Sequence, residues 1–124
     1  MDTNVVIELL ADSFSASATL WLEQLLEKKL HFLSVINVIE LLGFKNLAGS
    51  ERKIIQAFVD QSTVLTLSED VVNYTIYLRK TFTIKLPDAI IAATAVVYDL
   101  TLVTRNKRDF KHVVGLNLID AHEQ

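Results

Sequence analysis

A chain of 124 residues, 51% of them hydrophobic, carries enough apolar material for one domain with a real core, with no need of a linker or second domain. Its net charge of −3 excludes a global electrostatic pull on nucleic acid, so any such contact must come from a local basic patch, and the lack of cysteine excludes disulfides and thiolate-bound zinc. The apolar runs are too short to span a membrane and the first residues lack the basic and apolar regions of a signal peptide, which reads as a soluble, cytoplasmic protein; a mean hydropathy of +0.34 leaves apolar surface for a partner.

Asp2-Thr3-Asn4 supplies helix-start chemistry before an apolar stretch that runs to Leu10. A small polar loop over 13–17 leads to a helix over 18–29, where Trp21, Leu22, Leu25 and Leu26 fall on a core face. Residues 30–33 read as a short strand, and Ser34 caps a helix over 35–42 that Gly43 stops. Asn37 and Glu40, the polar side chains of that helix, stand three apart and so share one face, and Glu40 is either its solvent stripe or part of a site. Ser50 is expected to cap the next helix, through Val59, with Arg52 and Lys53 in a first turn whose dipole disfavours them unless they face a polyanion.

Alternating β-branched residues over 63–67 predict a strand, and Ser68 with Glu69 and Asp70 opens a helix to about Lys80. Pro87, the only proline, suits the first turn of the following helix, which continues to about Asp99. From Ala89 to Val97 there is no charge, so this helix runs through the interior. Asp88 at its mouth either complements the helix dipole or, at a core edge, requires a partner, a hydrogen bond or a metal. A buried strand over 100–104 ends in a run over 105–111 that holds four of the twelve Lys and Arg residues around Asp109. Residues 117–120 form a last strand, and the chain has no internal repeat.

Strands alternating with helices predict a three-layer α/β/α domain over 1–124, with a mostly parallel sheet of four to five strands. In such sheets ligands gather beyond the carboxyl ends of the strands, which picks out Asp2, Glu40, Asp88 and Asp109. Four carboxylates in one pocket repel unless cations are present, and hard oxygen donors suit Mg²⁺ or Mn²⁺. Such ions activate water and neutralise charge in displacement at phosphorus.

The order Asp2-Thr3-Asn4, Ser34 with Glu40-Leu41, Asp88-Ala89-Ile90-Ile91-Ala92-Ala93, then Leu102-Val103-Thr104-Arg105-Asn106 with Asp109-Phe110, resembles a PIN domain of the VapC-like toxin ribonucleases across essentially the whole chain. The resemblance implies a Mg²⁺- or Mn²⁺-dependent endoribonuclease that hydrolyses RNA phosphodiester bonds, the toxin of a type II toxin–antitoxin pair. It also implies a homodimer and a small antitoxin partner. Asp2, Glu40 and Asp88 match the metal-binding acids and Asp109 the more variable fourth, all four being catalytic. Thr104 and Asn106 match polar residues flanking that fourth acid, and with Asn4 they are expected on the substrate side. Arg105, Lys107, Arg108 and Lys111, with Arg52 and Lys53 beside them, are expected to form a phosphate-contacting rim. One departure stands out: the family has about four apolar residues before its first aspartate as a central strand, whereas here Met1 alone precedes Asp2, which leaves neighbouring strand edges and the mount of Asp2 exposed. Either the start has been assigned late or the strand is missing.

Other classes fit poorly. Gly43, Gly49 and Gly115 are scattered, so no dinucleotide-binding turn exists. A phosphoryl-accepting receiver would need paired acids after the first strand and an acceptor aspartate ending a middle one. His31, His112 and His122 have no metal spacing. The rival reading is a non-catalytic PIN-like module that binds RNA or protein.

Overall fold

The structure, a computed structural model, describes residues 1–10, 15–28, 31–45 and 47–124. Helix α1 (Thr3–Leu10) follows Asp2 directly. Helix α2 (Ala16–Glu27) starts two residues earlier than the apolar spacing suggests, because the Ser15 hydroxyl accepts the Ala18 N–H; residues 13 and 14 of the expected loop and the expected end at Lys29 lie outside the described residues. Strand β1 (Phe32–Ser34) sits one residue later than expected, Leu30 lying outside the described residues, so that Ser34 both ends it and caps α3 (Val35–Leu42). The cap is reciprocal: the Ser34 hydroxyl accepts the Ile36 N–H while the Asn37 side chain accepts the Ser34 N–H. At Gly43 a Cβ would come within 2.6 Å of the Ile39 carbonyl, so glycine is required where α3 ends.

Helix α4 (Gly49–Gln61) corrects the sequence reading. It is capped at Ala48 with no side-chain bond, which puts Ser50 inside it. Arg52 turns back to the carbonyls of Leu42, Phe44 and Lys45 at 3.3, 2.8 and 3.3 Å, so it ties down the chain leaving α3 rather than facing a polyanion. Strand β2 (Thr63–Leu65) is two residues shorter than predicted, and Ser68 caps α5 (Glu69–Thr81) through the Val71 N–H as expected. Helix α6 (Leu86–Val97), with Pro87 in its first turn, buries Ala89 and residues 91–95, as its lack of charge requires. It stops two residues short of Asp99, which takes a left-handed φ of 54° to turn the chain into β3 (Thr101–Thr104). A 3-10 turn over Lys107–Asp109 and strand β4 (Asn117–Asp120) complete the order.

Among the described residues the strands form two parallel pairs rather than one continuous sheet: β1 with β2, Leu33 opposite Val64, and β3 with β4, Val103 opposite Ile119. Met1 and Asp2 bridge the two pairs by backbone hydrogen bonds. The Met1 amino group donates to the Phe32 carbonyl at 3.0 Å and the Asp2 N–H to the Val103 carbonyl at 2.9 Å. Strand alternation assigns the layers: Leu102 packs with the buried faces of α5 and α6, whereas Val103 packs with Val5 of α1 and with Ala18 and Leu22 of α2. Leu33 joins Val6, Leu41, Ile55 and Val59 in a third cluster between α1, α3 and α4. No helix among the described residues is long and apolar enough to cross a membrane.

Candidate functional site

Asp2, Asp88 and Asp109 sit where elements begin or end, and Glu40 lies within the last turn of α3. Asp2, 6% exposed, leaves the β1/β3 seam and enters α1. Its carboxylate accepts the Thr104 hydroxyl at 3.0 Å, along with the N–H groups of Asn4 and Thr3. Burial raises its pKa above the ordinary 3.8, while Thr104, the terminal amino group and these two amides act in the opposite direction. Glu40, on α3, accepts the Thr3 hydroxyl at 2.7 Å. Thr3 accepts in turn from Asn37 Nδ2 at 2.8 Å, and Asn37 is 1% exposed. One buried chain thus runs from the Ser34 backbone through Asn37 and Thr3 to Glu40.

Asp88, in the first turn of α6, is half-buried and accepts no hydrogen bond among the described residues. Its pKa is pushed up from 3.8 to about 6, first by burial and then by the charges of Asp2, Asp109 and Glu40, with Lys85 opposing. Asp109 is exposed on the 3-10 turn and held by Asn106 Nδ2 at 3.0 Å, and the Asn106 N–H returns to the Thr104 hydroxyl at 3.1 Å. Thr104 therefore links the first and fourth acids.

A cleft of about 380 Å³ is lined by Asp2, Thr3, Asn4, Glu40, Phe44 and Asp88 among others. Asp109 lies outside that lining yet near enough to act on Asp88. Thr104 is fully buried and its hydroxyl holds Asp2 at 3.0 Å. Arg105 and Lys107 are engaged within the chain, Arg105 with Glu8 at 2.6 Å and Lys107 with Glu123 at 3.6 Å. Glu8 also meets His122 at 3.0 Å. Arg108 and Lys111 are exposed and form no ion pair among the described residues. Thr3 and Asn37 were not singled out as site residues by sequence; the signal was the three-residue spacing of Asn37 and Glu40 and the position of Thr3 beside Asp2.

Among the described residues no three acidic or histidine side chains already stand at metal-holding distance. The chemistry of the donors nevertheless fits a hard divalent ion: the cleft gathers carboxylate oxygens, and Asp88 has no compensating hydrogen bond there.

The PIN domain family model matches residues 1–116, and the chain belongs to the PIN domain family. Its structure is similar to a chain of a toxin–antitoxin complex from Klebsiella pneumoniae, 28% identical, covering 97% of this chain and 94% of that one with a TM-score of 0.74. It is also similar to VapBC2 from Rickettsia felis bound to a DNA fragment from its promoter, 24% identical, covering 95% and 94% with a TM-score of 0.79. DNA-bound VapBC from Salmonella typhimurium, 22% identical, covers 97% and 95% with a TM-score of 0.79. The last two, below one-quarter identity, speak for the fold alone. A search of curated proteins gives no match.

Proposed function

We propose that this PIN domain is the toxin of a toxin–antitoxin pair, an endoribonuclease that hydrolyses RNA phosphodiester bonds with Mg²⁺ or Mn²⁺ held by Asp2, Glu40 and Asp88. One observation carries the reading: Asp88, without a hydrogen bond of its own, faces the charges of three other carboxylates converging from separate elements. When bound, a divalent ion supplies charge neutralisation and a more acidic water. Thr104 and the α1 amides fix Asp2 at the cleft floor, and Thr3 fixes one oxygen of Glu40. Asp88, held by no such bond, is free to adjust. Asp109 is held by Asn106, Asn4 lines the cleft, and in this reading the exposed Arg108 and Lys111 contact the RNA backbone.

The proposed antitoxin has a seat nearby. Ile7, Leu41, Phe44, Leu47, Ile54 and Ile55 line an apolar groove of about 250 Å³ that shares Ile7 and Phe44 with the acid cleft. An amphipathic antitoxin helix fits such a groove, and a following Arg or Lys would reach the acids. The similar chain from Klebsiella pneumoniae, 28% identical, comes from a toxin–antitoxin complex, which supports the pairing. A homodimer in the cytoplasm belongs to the same reading.

The non-catalytic alternative draws on the lack of a gathered metal cage among the described residues. Incubating the purified chain with RNA, with Mn²⁺ or with chelator, decides between them. Cleavage that needs the ion and falls about a hundredfold or more in Asp88→Asn is expected. RNA bound but uncut in the presence of Mn²⁺ would make this a binding module.

A further inference from the structure

The turn that leaves α3 brings two side chains to the acid cleft that the proposed hydrolysis leaves unused. Phe44 and Lys45 line that cleft together with Asp2, Glu40 and Asp88, and both are exposed. We propose that they form the subsite for the nucleotide beside the scissile phosphate, Phe44 stacking on its base and Lys45 meeting the adjoining phosphate; the inference rests on the nuclease reading.

Two chemistries stand side by side in this cleft. Its carboxylates require cations, whereas Ile39 and Phe44, 59% and 48% exposed, give it an apolar wall open to solvent. A nucleotide carries an aromatic face and a negative charge one sugar apart, so it uses the wall and, through a bound ion, the acids at the same time; an aromatic side chain suits any base because every base has a π-face. Lys45 is the one cation lining the cleft among the described residues, and it forms no ion pair among them. The cation that acts on Asp88 is Lys85, so the Lys45 charge stands off from that acid and stays available to a phosphate beyond it. The turn is also held still. A Cβ at Gly43 would come within 2.6 Å of the Ile39 carbonyl, and the Arg52 guanidinium donates from α4 to the Phe44 and Lys45 carbonyls at 2.8 and 3.3 Å. Side chains mounted on a fixed backbone lose less freedom when a ligand arrives. Phe44 also lines the neighbouring apolar groove, but the acids and Lys45 beside it favour a nucleotide.

The probe is a single-stranded RNA with the fluorescent base 2-aminopurine at each position in turn, bound in Mn²⁺ to the full chain carrying Asp88→Asn to slow cleavage. One position is expected to lose most of its fluorescence by stacking. That quenching should vanish in Phe44→Leu, with RNA affinity about tenfold weaker, and persist in Phe44→Trp. Lys45→Gln should keep the quenching and lower the salt dependence of binding by about one counterion. Cleavage by the chain with Asp88 intact is followed alongside. Equal quenching and affinity with and without Phe44, or an unchanged salt slope in Lys45→Gln, would overturn the proposal, and continued cleavage would leave the nuclease reading standing. Phe44-dependent quenching in a chain that cuts no RNA would uphold the nucleotide subsite and overturn the nuclease reading. RNA neither bound nor cut would overturn both.

Discussion

Asp88 owes its character to the start of α6: the helix behind it is buried and uncharged, and the acids in front of it are all of its own sign. A carboxyl whose folded value of about 6 lies above its unfolded one near 3.8 contributes stability that is fully present below pH 4 and lost as pH rises through 6. Without metal, Asp88→Asn should therefore stabilise the protein at pH 7.5, by about 1 kcal/mol once solvent screening of a half-exposed group is allowed for, and the gain should vanish near pH 4. Thermal melts in chelator at the two pH values measure this, and a destabilised variant at pH 7.5 would contradict it. Asn37 has the opposite character. Its amide joins the Ser34 N–H to the Thr3 hydroxyl inside the core, so Asn37→Ala should cost about 1–3 kcal/mol by denaturant titration.

At the scale of elements, local chemistry was legible and long-range chemistry was not. Ser34, Gly43, Ser68 and Pro87 each mark a boundary because the bonds they make or forbid lie within a few residues. The start of α4 escaped the reading because no side chain caps it; its first turn is anchored by Arg52 reaching back to the carbonyls before it. The acids were legible as candidates because Asp2, Asp88 and Asp109 border elements and Glu40 lies in the helix that directly follows β1. The bond from Thr3 to Glu40 spans 37 residues and that from Arg105 to Glu8 spans 97, separations that no local pattern encodes. Removing the α3 cap through Ser34→Ala should cost about 1 kcal/mol in a denaturant titration. Arg52→Ala should speed amide exchange in the residues leaving α3, beside the apolar groove, and unchanged exchange there would reject its tethering role.

For the whole molecule, a net charge of −3 bears on the proposed RNA substrate. Arg105 spends much of its charge on Glu8, whereas Arg108 and Lys111 form no ion pair among the described residues. Replacing Arg108 and Lys111 by Ala should therefore flatten the salt dependence of RNA binding by about one counterion per residue, and Arg105→Ala should do less. Equal effects from all three would place Arg105 on the RNA as well.

The central claim is that Asp2, Glu40 and Asp88 share one divalent ion, and titration calorimetry of Mn²⁺ into the metal-free protein tests it most directly. The account predicts binding to the parent that Asp88→Asn and Glu40→Gln each weaken at least about tenfold, with the folded state of both variants confirmed by their melts. Equal Mn²⁺ affinity in the parent and both variants would mean that the carboxylates do not form a common site.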